Sequence, residues 1–101
     1  MEAAIERCDK LSDSGHLVEA LGTIANFKNE SDPEVQWRYG RAIFKEAELK
    51  GSGPKAEAIG QALEVLKKSL AENDDCANLH VWYAIVIGSK DKHESFKQKI
   101  E

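Results

Sequence analysis

The chain has 101 residues, of which 42% are hydrophobic and 32% charged, and its formal net charge is −4. This balance is typical of one soluble globular domain, and the acidic charge argues against a dedicated nucleic-acid binder. No apolar run approaches membrane-spanning length, so no transmembrane segment is expected. Cys8 and Cys76 lack disulfide or zinc spacing, which indicates reduced, partly buried cysteines in a cytoplasmic protein. Helix formers dominate the composition, so the class is predicted to be all-α.

Two helices are predicted in the first third of the chain. The first runs over about 2–12 and ends before Gly15, a residue suited to the left-handed position after a helix. The second runs over about 16–28. Its apolar residues lie at helical spacing on one face: Leu17, Ala20, Leu21, Ile24 and Phe27.

The middle third begins with a strong helix start at Ser31-Asp32-Pro33-Glu34. A third helix is predicted from there to about Leu49. Lys50–Pro54 is predicted to be a loop, and a fourth helix follows to about Glu72. The fourth helix has a regular apolar stripe: Ile59, Ala62, Leu63, Leu66 and Leu70.

A fifth helix is predicted over about 76–87 and is apolar on several faces, which indicates burial between neighbours. A buried strand is the alternative, because this segment is rich in β-branched residues. Gly88 is predicted to end the helix. A sixth helix would then begin near Asp91 and carry Phe96 and Ile100 on its apolar stripe.

These segments repeat with a period of about 34 residues, as helical hairpins of the tetratricopeptide type do. The repeats cover about 1–33, 34–76 and an incomplete 77–101. The second helix of the middle repeat comes about nine residues late, which predicts an enlarged inter-helix turn. The fold is therefore predicted to be antiparallel hairpins, about six helices, stacked in a right-handed superhelix within one domain. Ala20, Gly40 and Ala62 occupy small positions, whereas Arg41 departs from the pattern.

Two segments carry a closer resemblance, 34–42 (EVQWRYGRA) and 77–85 (ANLHVWYAI). They resemble the regulator of microtubule dynamics protein family, whose His-x-Trp-Tyr-Ala-Ile signature is matched here from His80 to Ile85. Residues 95–100 are also similar to that family's next helix. The resemblance covers 34–101 well and 1–33 only as a generic repeat. It implies a microtubule-associated protein of the cytoskeleton and spindle, acting in chromosome segregation or, in some members, at organelle contacts.

No catalytic constellation is present, so no enzymatic activity, cofactor or metal site is expected. Lys50–Lys55 lacks the Gly-Lys-Ser/Thr ending of a phosphate-binding loop. His80, on an apolar helix, is expected to be a hydrogen-bonded core histidine.

Protein binding is the predicted function, through a concave groove lined by the first helix of each repeat. The alternatives are a generic peptide-binding scaffold and a lipid-handling domain whose fifth helix lines a pocket. The groove residues could also be ordinary solvated faces, with Trp82 in the core. The candidate groove residues are Arg38, Tyr39, Lys45, Asn78, Val81 and Trp82.

The resemblance implies tubulin as a partner, and tubulin presents acidic tails. A chain of net charge −4 would have to meet them with a local basic patch. Two patches are predicted: Arg38, Arg41 and Lys45 on the third helix, and Lys90, Lys92, Lys97 and Lys99 near the end.

The end of the chain leaves Phe96 and Ile100 without a covering helix. Exposing large apolar side chains is unfavourable. The chain is therefore expected to be a fragment whose last helix either frays or self-associates with a neighbouring molecule.

Overall fold

A computed structural model describes residues 2–50 and 52–100, with side chains for 2–50 and 55–92. The described residues form five helices and no strand: α1 (Glu2–Asp13), α2 (Leu17–Ala25), α3 (Pro33–Ala47), α4 (Ser52–Glu72) and α5 (Ala77–Ile100). The all-α prediction is confirmed.

The α1–α2 turn is a Schellman motif centred on Gly15, as the sequence predicted. Gly15 has a φ of 82°, and its N–H donates to the carbonyl of Ser12. The N–H of His16 donates to the carbonyl of Leu11 at 2.8 Å. These bonds satisfy carbonyls that the helix end would otherwise leave unpaired.

Asp32 caps α3. Its Oδ1 accepts from the N–H of Glu34 at 2.9 Å, and Pro33 lies at the helix start, where a missing N–H removes no helical bond. The N-terminus of α3 is therefore determined by local sequence alone.

The structure differs from the predicted connection between α3 and α4. Helix α3 ends at Ala47 and α4 already begins at Ser52, so the extra residues lengthen α4 instead of enlarging the turn. Gly53 and Pro54 are accommodated because the N–H groups of a first turn have no intrahelical partner.

The predicted helix end at Gly88 is wrong, because α5 runs unbroken from Ala77 to Ile100. Residues 2–50 and 52–100 therefore form five helices, where about six were predicted. Glycine weakens a helix interior by only about 1 kcal/mol relative to alanine, which neighbouring helix formers outweigh. The side chains of Phe96 and Ile100 lie outside the described residues.

Helix α3 lies at the centre and contacts each of the other four helices. One apolar cluster joins α1, α2 and α3 around Cys8, Ile24 and Val35. The other joins α3, α4 and α5 around Trp37, Leu66 and Leu79. Helices α1, α3 and α5 thus form one layer, packed against α2 and α4. Their further arrangement as a right-handed superhelix stays a prediction.

Candidate interaction surface

The α1–α3–α5 layer is the surface that the sequence predicted to bind a partner. One face of α3 presents Glu34, Arg38, Arg41 and Lys45 at spacings of three and four residues. The first half of this face meets α1, and the second half meets α5.

At the α1 side, two arginines bind one carboxylate. Arg38 donates from Nε and Nη2 to the two oxygens of Asp9 at 2.9 and 3.0 Å, and Arg41 Nη2 donates to Asp9 Oδ1 at 2.7 Å. Arg41 also donates to Ser12 Oγ at 3.3 Å. Both guanidinium groups stack on the Trp37 ring, at 4.2 and 4.9 Å from its centroid. Residues Asp9, Arg38 and Arg41 are called the Asp9 cluster below.

Two carboxylates balance the two arginines of the Asp9 cluster: Asp9 binds both, and Glu34 Oε1 lies 3.9 Å from Arg38 Nη1. Burial alone would raise the pKa of Asp9, but hydrogen bonds from Arg38 and Arg41, together with their charges, lower it below its ordinary value. The arginine side chains are only 14% and 11% exposed. The predicted Arg38–Arg41–Lys45 patch is thus divided, and of its three cations only Lys45 faces the α5 side.

Burial also raises the pKa of the neighbouring Cys8 thiol, a shift that nearby Arg41 only partly opposes. Thiolate is the nucleophilic form of cysteine, so this thiol is poorly reactive. Both cysteines are free, and Cys8 is buried.

At the α5 side, α3 and α5 enclose an open groove. Lys45 Nζ lies 5.8 Å from the centroid of the Trp82 ring, within cation–π range. Trp82 is half-buried against the core cluster of α3, α4 and α5, so its other half contributes to the groove. The groove is lined by Phe44, Lys45, Glu48, Trp82, Ala84, Ile85, Gly88, Ser89 and Lys92.

The remaining predicted groove residues are dispersed. Asn78 and Val81 are exposed on α5 outside this lining. Tyr39 faces the other side of α3 and lines a separate pocket of about 290 Å³ with Val65 and Ser69 of α4. Whether any of these residues binds a partner stays a prediction.

The C-terminal basic patch is described only in part. Lys90 and Lys92 are exposed on α5, and the side chains of Lys97 and Lys99 lie outside the described residues. Lys92 extends the groove beyond Trp82 as a second cation.

Helix α5 departs from the prediction of burial on several faces. Val81 and Ile85 are 49% and 42% exposed. His80 is exposed as well, so the prediction that it lies in the core is wrong. The expected hydrogen bond is present, because its Nε2 contacts the carbonyl oxygen of Asp74. Among the described residues only α3 and α4 pack against α5, so its remaining faces stay exposed.

Asp9 is the residue whose role sequence reasoning missed. Its arginine partners lie 29 and 32 residues away in the chain. The sequence feature that could have indicated this role of Asp9 is Arg41. It stands at a close-packed repeat position that is usually occupied by a small residue, and a charged side chain there needs a nearby counter-charge.

No described group of three or more histidine, cysteine or acidic side chains is arranged to hold a metal ion. Among residues 2–50 and 52–100, none of the helices is both long and apolar enough to cross a bilayer.

Comparison with known proteins extends the sequence resemblance to the first repeat. The family model for regulator of microtubule dynamics protein 1-3 matches residues 4–101. Regulator of microtubule dynamics protein 1 is 32% identical in Bos taurus, 29% in Pongo abelii and 28% in Mus musculus, over 99% of this chain. The chain spans about a third of those relatives' length, 32% to 33%. No solved structure matches it significantly. The chain therefore belongs to the regulator of microtubule dynamics protein 1-3 family.

Proposed function

We propose that this domain is a non-catalytic interaction module that binds microtubules through the acidic tails of tubulin. The relatives are named as regulators of microtubule dynamics, and the groove between α3 and α5 offers cations beside an aromatic surface. The observation that carries the proposal is the position of Lys45 over Trp82, in a groove that Lys92 extends.

An extended acidic peptide fits this groove better than the other surfaces of the layer. Lys45 and Lys92 would attract its carboxylates, while Trp82 and Ile85 would pack against its backbone and aliphatic groups. The Asp9 cluster does not compete for the peptide, because Asp9 already occupies both arginines. A cytoskeletal location and a role in chromosome segregation belong to the same proposal.

Co-pelleting with microtubules tests the proposal. Lys45→Glu should reduce binding at least about tenfold, since it both removes an attractive charge and adds a repulsive one. Binding should also weaken at raised salt, because exposed charges are screened beyond about 8–10 Å at physiological ionic strength. Lys67→Glu, an equal charge change at an exposed position on α4, is the matched control.

Removal of the tubulin tails should abolish the effect of Lys45→Glu. Binding that persists without tails and at high salt would contradict the proposal. Absence of pelleting combined with lipid extraction by the domain would favour the lipid-handling alternative, and capture of a non-acidic peptide would favour the generic scaffold.

A further inference from the structure

A pocket separate from the α3–α5 groove lies where the connection between α2 and α3 meets α4. Its volume is about 290 Å³, and it shares no lining residue with the groove. Tyr39 of α3 and Val65 of α4 are half-buried in its lining beside Ser69, and this cavity is called the Ser69 pocket below. Ligand pockets typically measure about 300–1,000 Å³, so the Ser69 pocket suits a small molecule and not a long peptide.

Ser69 is the feature of this pocket that indicates a ligand. It is only 3% exposed, yet its hydroxyl has no hydrogen-bond partner among the described residues. Such a hydroxyl is unfavourable, because it has given up its bonds to water without replacing them. A hydroxyl in a helix can donate to the carbonyl four residues earlier, as Thr23 does to Glu19 at 2.9 Å, but Ser69 does not. The Ser69 hydroxyl is therefore available to a polar group that enters the pocket.

Gln36 fixes the opposite wall, which the α2–α3 connection forms. Its Nε2 donates to the carbonyl of Lys28 at 2.9 Å and to the carbonyl of Glu30. With both N–H groups of the amide in use, only its oxygen is left, and that oxygen can only accept. The hydroxyls of Ser69 and Tyr39 can donate as well as accept. The lining thus offers both donors and acceptors to one ligand.

The charges around the pocket are balanced. Lys28 and Glu30 line it from the α2–α3 connection, and Lys68 and Glu72 line it from α4. Lys68 and Glu72 form no ion pair within the described residues, whereas three pairs at the same spacing with glutamate first do. A ligand of a single charge would meet attraction and repulsion in equal measure, but a zwitterion is attracted by both signs.

We propose that the Ser69 pocket binds a small zwitterion of the amino-acid type. The Ser69 hydroxyl donates to the carboxylate of the ligand, which the two lysines also attract, and the two glutamates attract its ammonium group. An apolar or aromatic side chain of the ligand packs against Tyr39 and Val65. This site is independent of microtubule binding, because it shares no residue with the α3–α5 groove.

A nitrogen-15 NMR titration of the 101-residue chain with L-phenylalanine and with L-leucine tests the proposal. Backbone amide resonances of residues 28–31 and 65–72 should shift in a saturable manner. N-acetyl-L-phenylalanine lacks the ammonium charge, and L-phenylalaninamide lacks the carboxylate. Each should bind about tenfold more weakly or less than L-phenylalanine, because it loses one attraction and keeps the matching repulsion.

Two protein variants test the residues. Ser69→Ala should weaken L-phenylalanine binding about tenfold while the melting temperature stays equal or rises, because an unpartnered buried hydroxyl is removed from a helix. A merely structural role of Ser69 would not combine weaker binding with unchanged or higher stability. Lys68→Ala should also weaken binding, and Lys67→Ala, at an exposed position on α4 outside the lining, is its matched control.

Four results would each overturn the proposal. They are the absence of shifts with both amino acids, equal binding of L-phenylalanine and its two derivatives, unchanged binding by Ser69→Ala, and equal effects of Lys68→Ala and Lys67→Ala.

Discussion

At the scale of single residues, Gly40 illustrates how close packing determines what a position tolerates. A Cβ built on Gly40 would lie 2.6 Å from both Cγ and Cδ2 of Leu66, a side chain that is fully buried. The repeat pattern predicted a small residue at this position because two helices pack closely there. The structure identifies Leu66 as the neighbour that requires it.

Gly40→Ala should therefore lower the free energy of unfolding, by about 1–3 kcal/mol for an overpacked core, in spite of alanine's higher helix propensity. Gly60→Ala is the matched control, because a Cβ at Gly60 meets nothing within 4 Å. Urea unfolding compares the two variants. If Gly40→Ala were as stable as the wild type or more stable, α3 and α4 would not pack as described.

Asp9 joins α1 to α3, and its lowered pKa has a consequence for stability. A carboxyl whose pKa is lower in the folded state stabilises that state above the unfolded pKa of about 3.9. This contribution is lost as pH falls through the folded pKa of Asp9.

Asp9→Asn should lower stability at pH 7 by on the order of 1–3 kcal/mol, since it leaves the charge of nearly buried Arg41 without a counter-charge. The difference from the wild type should begin to shrink below about pH 4, where Asp9 of the unfolded chain takes up a proton, and it should disappear as pH falls through the lower folded pKa of Asp9. Denaturant unfolding from pH 7 to pH 3 measures this, with Asp13→Asn at an exposed position of α1 as control. A difference that is independent of pH would contradict the ion-pair account.

At the scale of elements, the sequence predicted those helix ends that depend on hydrogen bonds between near neighbours in the chain. The Gly15 turn and the start of α3 each depend on bonds within a few residues, and the sequence predicted a left-handed Gly15 and a helix start at Ser31-Asp32-Pro33-Glu34. The helix end at Gly88 was a weaker signal, because glycine is permissive and only its neighbours decide whether a helix continues.

Gly88→Ala tests the continuity of α5. At an exposed position inside a helix it should raise stability by about 0.5–1 kcal/mol. Gly15→Ala should have the opposite effect, because Gly15 has a φ of 82° that an alanine adopts only with strain. Thermal unfolding of dilute protein compares them. Destabilisation by Gly88→Ala would indicate the helix end that the sequence had suggested.

At the scale of the whole molecule, ion pairs between residues far apart in the chain determine which charged side chains remain available to a partner. Sequence spacing grouped Arg38, Arg41 and Lys45 correctly on one helix face. It could not show that Asp9, 29 and 32 residues before the two arginines, binds both, or that Lys45 instead faces Trp82. Of the six residues predicted to line a groove, only Lys45 and Trp82 line this one, and the distribution of charge around them depends on the packing of α1, α3 and α5.

The groove between α3 and α5 is the proposed binding site of an acidic peptide. The two tryptophans report on it separately: Trp82 lines the groove, whereas Trp37 is buried and its indole donates to Glu34. The most direct measurement is a titration with a glutamate-rich tubulin-tail peptide, followed by the two indole N–H resonances in nitrogen-15 NMR spectra and assigned with Trp82→Phe. The Trp82 resonance should shift in a saturable, salt-sensitive manner while that of Trp37 stays in place. An unmoved Trp82 resonance at saturating peptide would contradict the account.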